Sequence, residues 1–268
     1  MPLNFLIAVY KYLEIANKEK LKMSYTSELL MVARNLKRNR FKVILAKNGE
    51  DARRAALELI PLHSTIGVAN SVTVKQIGLL ESLKHRGDTL VDPISMIYDL
   101  NTEFDEKKMV GLMRKSLDTD VFVSGTNAVT RDGKLVNIDG TGNRVAGIIW
   151  ARGKVLVFIS RNKVANDVDQ AIQRIKMIVP ILAKQRQLAL PCAKAGECID
   201  CFVPQRACNI TMILDKCPGR TDLTVILIDE DLGIGFDPTW PTERIESIKS
   251  RYEQFDGPYN FKTRSSHR

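Results

Sequence analysis

A chain of 268 residues with 44% hydrophobic and 26% charged residues has an ordinary globular make-up, which excludes disordered and fibrous classes. Its longest apolar runs, Phe5–Tyr10 and Lys154–Ser160, fall far short of the roughly 18–20 residues that a membrane-spanning helix needs. The net charge of +9 sits at the ends: residues 1–54 hold 12 Lys and Arg against 5 acids, residues 257–268 hold 3 against none, and the body between is at −1.

A nucleic-acid-binding domain would carry a basic stripe on its folded face and aromatic residues for stacking. Aromatics are only 6% here, so a nucleic-acid-binding module is the weakest reading. The first residues lack a basic region ahead of their apolar stretch, which argues against a secretory signal and for a soluble, cytoplasmic protein.

In chain order, Met1–Asn17 has the spacing of an amphipathic helix, with Leu6, Val9, Leu13 and Ala16 on one face. Residues 1–22 are thus expected to form an N-terminal helical extension, either added by an upstream start codon or serving as a docking helix. A second helix runs to about Arg38, with Leu29, Val32, Ala33 and Leu36 inward. From Phe41 short apolar runs alternate with helices. Phe41–Ala46, Thr65–Val68, Thr89–Val91 and Val121–Val123 read as strands, and Glu50–Ile60, Val72–Lys84 and Asp105–Ser116 as helices. That alternation predicts an α/β fold with a mostly parallel sheet flanked by helices.

Arg131-Asp132-Gly133-Lys134 is a hairpin turn, expected to join a strand ending near Thr130 to one at Leu135–Ile138 as a β-hairpin insertion. Lys154–Ser160 reads as a buried strand and Val168–Val179 as a helix stopped by Pro180. Thr224–Ile228 is the last strand and Thr242–Gln254 the last helix. The polar tail 257–268 is expected to be disordered.

In a parallel α/β sheet, ligands bind beyond the carboxyl ends of the strands. Four polar loops fall there. Asn70, Ser71 and Thr73 open a helix whose N-terminus suits a carboxylate or phosphate, although this loop taken alone reads first as a plain Ser71 cap. Gly125, Thr126 and Asn127 follow the next strand. Asp139, Gly140, Gly142, Asn143 and Arg144 offer backbone amides and a guanidinium able to fork a carboxylate or phosphate. Asn162 and Lys163 complete the set. Together these residues predict a site for a small anionic metabolite. No GxGxxG or GxxxxGK[ST] run occurs, so dinucleotide and Walker-type sites are unsupported. His63, His85 and His267 form no triad with Ser or Cys.

All five cysteines fall within 26 residues, and Cys192, Cys198, Cys201 and Cys208 follow a C-x5-C-x2-C-x6-C spacing. Four thiolates would complete a zinc site or a [4Fe–4S] iron–sulfur cluster; reduced, unliganded thiols are the alternative. Gln205–Asp215 reads as helical, which would put Cys208 in a first turn where the dipole favours thiolate. Cys217 is the fifth member, expected to stay free.

Val136-Asn137-Ile138-Asp139-Gly140-Thr141-Gly142-Asn143-Arg144, Asn162-Lys163 and Asp169-Gln170-Ala171-Ile172-Gln173-Arg174 resemble the lactate-utilisation (LUD) domain family. The cysteine block and Leu232-Gly233-Ile234-Gly235 are similar to its short, cysteine-containing branch. The resemblance implies one domain over residues 23–256, with a cysteine-rich loop at 191–217 and a fold similar to ribose-5-phosphate isomerase and CoA-transferase-like proteins. It also implies a role in using lactate or related hydroxy acids beside an iron–sulfur oxidoreductase subunit. The ferredoxin-type cysteine runs of such subunits are missing here. So is any glutamate that can be placed as the transferases' nucleophile; Asp139 is the acid nearest the expected cleft. The alternative is a metal-bearing electron-transfer or sensing partner without catalysis of its own.

Overall fold

The most apolar runs of the chain build the centre of the molecule. In the computed structural model, which describes residues 25–101 and 103–259, Lys154–Ser160 (β7) and Leu223–Ile228 (β10) are buried almost throughout. Such continuous runs are stable only where helices cover both faces of a sheet. Around them lie Lys42–Ala46 (β1), Thr65–Val68 (β2), Thr89–Val91 (β3) and Val121–Gly125 (β4), in the order β1-β10-β7-β4-β2-β3. Every neighbouring pair is parallel. All strand carboxyl ends therefore share one rim.

Side chains alternate between two layers, as the pleat requires. Val155, Val157 and Ile159 pack under Ser27–Arg38 (α1) and Asn143–Trp150 (α7), while Leu156 and Phe158 pack under Gly49–Leu59 (α2) and the helices after β2. Those helices are Val72–Gln76 (α3) and Leu79–His85 (α4). The single helix expected over Val72–Lys84 is broken because Gly78 takes a left-handed φ of 65°. Ser95–Tyr98 (α5) and Glu106–Ser116 (α6) complete this half.

Gly147 of α7 lies against the Phe122 ring, and a Cβ there would come within 2.1 Å of it. Phe122 is fully buried and has no room to withdraw. Gly147→Ala should therefore lower stability by about 2–4 kcal/mol in a denaturant melt, against a gain of up to about 1 kcal/mol if only helix propensity mattered.

A second sheet holds Ala128–Thr130 (β5), Leu135–Asp139 (β6), Val164–Ala165 (β8) and Ile210–Leu214 (β9), in the order β8-β5-β6-β9. β5 and β6 are antiparallel across the Arg131–Lys134 turn, but they are the centre of this sheet and not an isolated insertion. β9 corrects the helix expected over Gln205–Asp215. Its apolar, β-branched run pairs antiparallel with β6, from Asp139↔Ile210 to Leu135↔Leu214. Two further helices are Pro191–Ala195 (α9) and Thr242–Glu253 (α10).

The helix Val168–Gln185 (α8) crosses this sheet and runs through Pro180 instead of stopping before it. Proline removes one helical hydrogen bond. Buried Ile175, Ile178 and Ala183 on both sides of it hold the helix in place, and the continuation carries Arg186 to the rim. The expected N-terminal helix and the tail beyond residue 259 lie outside the described residues. No helix among the described residues is long and apolar enough to cross a membrane.

Candidate functional site

The loops after β2, β4, β7 and β10 meet at the shared rim and enclose a cavity of about 150 Å³. Asn70, Ser71, Thr73, Gly125, Thr126, Asn127, Arg144 and Lys163 all line it. Helix α8 supplies an apolar wall of Ile175, Ile178, Val179 and Leu182. The volume is below the roughly 300–1,000 Å³ of pockets for drug-sized ligands, so it suits a molecule of few non-hydrogen atoms.

Hydrogen-bond accounting separates scaffold from free groups. Thr126 Oγ1 accepts from Asn137 Nδ2 at 2.8 Å, and Asn127 Oδ1 accepts from Ile138 N at 2.9 Å, so both side chains tie β4 to β6. Asn70 Nδ2 donates to Tyr259 Oη at 2.6 Å. Ser71 Oγ accepts from Val74 N at 3.3 Å and caps α3, a helix of only five residues.

Lys163 follows β7 in a tight turn, and only 6% of it is exposed. Its Nζ donates to Thr73 Oγ1 at 2.8 Å, and no carboxylate among the described residues pairs with it. Burial, with the Arg144 and Arg174 charges adding to it, pulls its pKa down to about 7. Gly233, at a φ of 64°, lets the loop after β10 lie against this pair; a Cβ there would sit 2.5 Å from Thr73 Oγ1 and 2.9 Å from Lys163 Nζ. Arg144 donates from Nη2 to Ile138 O at 3.1 Å and stands 3.9 Å from Asp139, while its buried Nε has no partner among the described residues.

The remaining expected residues are not in the cavity wall. Asp139 accepts from Gly140 N at 2.8 Å and Val145 N at 3.3 Å, shaping the turn into α7. Gly140 packs against the Ala207 backbone. Gly142, at a φ of 96°, is the N-cap of α7, and Asn143 is its first residue. Asn162 is buried, donating to Gly235 O at 2.9 Å and accepting from Leu232 N at 3.2 Å.

Sequence reasoning missed a buried network at one end of the cavity. Arg186 Nε donates to Asp256 Oδ2 at 2.8 Å and its Nη2 to Tyr252 Oη at 3.0 Å. Tyr252 donates to Asp256 at 2.7 Å, and Tyr98 donates to its other oxygen. These residues come from three distant segments and form no motif, and Arg186 sits among polar neighbours, Lys184-Gln185 before it and Gln187 after it, which give no sign of its burial. Asp256→Ala would leave that guanidinium buried and unpaired. It should cost about 3–5 kcal/mol in a urea melt, and a loss under 1 kcal/mol would contradict this account.

The cysteine loop adjoins the cavity, since Leu190 and Ala207 are in its wall. Arg206 gathers the loop, donating to Cys201 O at 2.7 Å, Cys208 O at 3.1 Å and Asp200 Oδ1 at 2.6 Å. Burial raises the Cys192 thiol pKa, and charge on Cys201, Cys208 and Cys198 raises it further. Cys208, in a loop and not in a helix, likewise has its pKa raised by burial and by Cys198 and Cys201, against the pull of Arg206. The four thiols thus share one electrostatic neighbourhood, and as a donor set they suit zinc or an iron–sulfur cluster. Among the described residues, however, no three His, Cys, Asp or Glu side chains converge into a ready-made metal site. Cys217 stands apart, its amide donating to Asn39 O at 2.9 Å.

Residues 29–228 match the LUD domain as a protein family. No curated protein matches the chain. A crystal structure of a DUF162-family protein from Deinococcus radiodurans is similar over 75% of this chain and 96% of its own, at 12% identity and a TM-score of 0.40. The family match spans most of the chain, and the protein belongs to the lactate-utilisation (LUD) domain family.

Proposed function

We propose that the protein binds a small anionic metabolite, a hydroxy acid of the lactate type or a small phosphate, in the cavity at the carboxyl rim. In this reading it is an accessory or catalytic component of lactate and hydroxy-acid utilisation. The observation that carries the reading is Lys163, a buried ammonium whose hydrogen-bond partner is one neutral hydroxyl. An uncompensated buried cation is expensive, and an incoming carboxylate that meets Lys163 and the open Nε of Arg144 offsets that penalty. The Ser71 hydroxyl suits the hydroxyl of the ligand, and the α8 wall suits its short carbon chain. Calorimetry with L-lactate, D-lactate and inorganic phosphate tests this. Saturable binding of at least one is expected, and absence of binding by all three to folded protein rejects the site.

Cys192, Cys198, Cys201 and Cys208 are, in the same reading, the ligands of a [4Fe–4S] cluster or a zinc ion. A cluster would supply a one-electron carrier beside the cavity; zinc would supply a structural clamp. The loop closes on the metal, in keeping with sites that form only on binding. One observation favours the second reading, a metal-bearing electron-transfer or sensing partner. Phe202, beside Cys201, is 97% exposed and Ile199 is exposed as well, an apolar flank that an iron–sulfur oxidoreductase subunit would cover.

A further inference from the structure

We infer that the protein carries a second anion site, for the phosphate end of a phosphorylated metabolite, in a pocket centred on Arg174. This pocket has a volume of about 570 Å³ and shares no wall residue with the Lys163 cavity. It lies between the start of α1, the β5–β6 turn, the first turns of α8 and the loop before α10. The size is within the range for a ligand larger than lactate.

Arg174 is 5% exposed, and its Nη1 donates to Val164 O at 2.8 Å. Its Nη2 is buried, with no hydrogen-bond partner among the described residues. Asp237 faces the same pocket, but it accepts from Thr239 at 2.6 Å and from Gln170 at 3.3 Å and forms no ion pair with Arg174. An unmatched buried guanidinium donor is costly, and a phosphate oxygen is suited to satisfy it.

Three more guanidiniums are held at the same pocket. Glu28 fixes Arg131 at 2.7 and 2.9 Å. Asp231 fixes Arg161 at 2.8 Å and Arg244 at 2.9 and 3.0 Å. Arg244 also lies over the Trp240 ring, 3.7 Å from its centroid. A phosphate end presents three oxygens, one more than a carboxylate, and so can meet Arg174 and the remaining N–H groups of the positioned guanidiniums at once. Asn166, Gln170 and Asp237 offer partners for hydroxyls on the rest of such a ligand.

The site also bears on the first cavity, because the Arg174 charge helps to hold the Lys163 pKa down. Phosphate on Arg174 would ease protonation of Lys163, so a ligand in each pocket should favour the other. That consequence rests on the lactate reading; the second site itself does not.

Inorganic pyrophosphate is the probe, followed by calorimetry and by Trp240 fluorescence in a Trp150→Phe background, which leaves Trp240 as the single tryptophan. Saturable one-to-one binding with a change in Trp240 emission is expected. Arg174→Gln should weaken it about tenfold or more, and Arg131→Gln, a half-exposed residue whose ion pair with Glu28 is of the surface kind that contributes little to folding, about threefold. Lys163→Met should leave pyrophosphate affinity within about threefold while removing lactate. If Arg174→Gln does not fold, Arg131→Gln with the Trp240 signal decides. No saturable binding, binding unchanged in the folded arginine variants, or loss of pyrophosphate in Lys163→Met overturns the second site. None of these results by itself removes the lactate site.

Discussion

Lys163→Met is expected to abolish L-lactate binding and, at pH 7, to leave the protein more stable than the wild type. The two effects share one cause. Truncating one partner of a buried charge pair typically costs 2–5 kcal/mol of binding, so affinity should fall by about thirtyfold or more. Without ligand, the same ammonium is a liability. Its folded pKa of about 7 lies below the ordinary lysine value of 10.5. Between those values the unfolded chain binds more protons, and stability rises with pH. At and below about pH 7 the penalty is present in full; above about pH 10.5 it is gone. Methionine fills a similar volume without charge, so the gain should be largest at pH 6–7, roughly 2–4 kcal/mol, and vanish toward pH 10.5. Urea melts across that range check the sign. Destabilisation by methionine at pH 7 would show that Lys163 has a counterion in the folded protein. Wild-type lactate affinity should also fall as pH rises past 7, with proton uptake on binding between about pH 7 and the higher pKa of the complex.

The parts of this site that were legible from sequence are those governed by the sheet. Apolar runs such as Val155–Ile159 predict buried parallel strands, and parallel strands put the loops of Ser71, Gly125 and Lys163 on one rim. What those loops do with their polar atoms was not legible. Thr126, Asn127, Asp139 and Asn162 look like ligand groups in sequence, but in the fold they satisfy backbone and side-chain partners that only tertiary contact supplies. Arg186 and Asp256 carry no motif because each finds the other across 70 residues. The Gln205–Asp215 segment has a polar start and an apolar end, which does not settle its period; pairing with β6 decides for a strand. Pro180 shows the same override, with packing on both sides outweighing a lost hydrogen bond.

Protein purified without oxygen should carry metal on the cysteine loop, and Cys201→Ala should remove it while Cys217→Ala leaves it in place. Iron and acid-labile sulfide in equal amounts, with broad visible absorption, identify a cluster; colourless protein with one zinc per chain identifies a clamp. The contrast between the two variants follows from their surroundings. Cys201 influences Cys192 and Cys208, whereas the neighbours that act on Cys217 are Arg40, Asp222 and Lys42. Arg206→Gln is the finer test. It keeps all four thiols but releases the Cys201 and Cys208 carbonyls, so the loop must be ordered by the metal alone. Metal affinity should then drop by about tenfold or more, measured by competition with a chelator. Because Ala207 and Leu190 are wall residues of the Lys163 cavity, metal removal should also weaken lactate binding in the wild type. Full-length protein that folds, binds lactate and holds neither iron nor zinc under these conditions would make the four cysteines reduced bystanders and leave the anion cavity as the working part of the molecule.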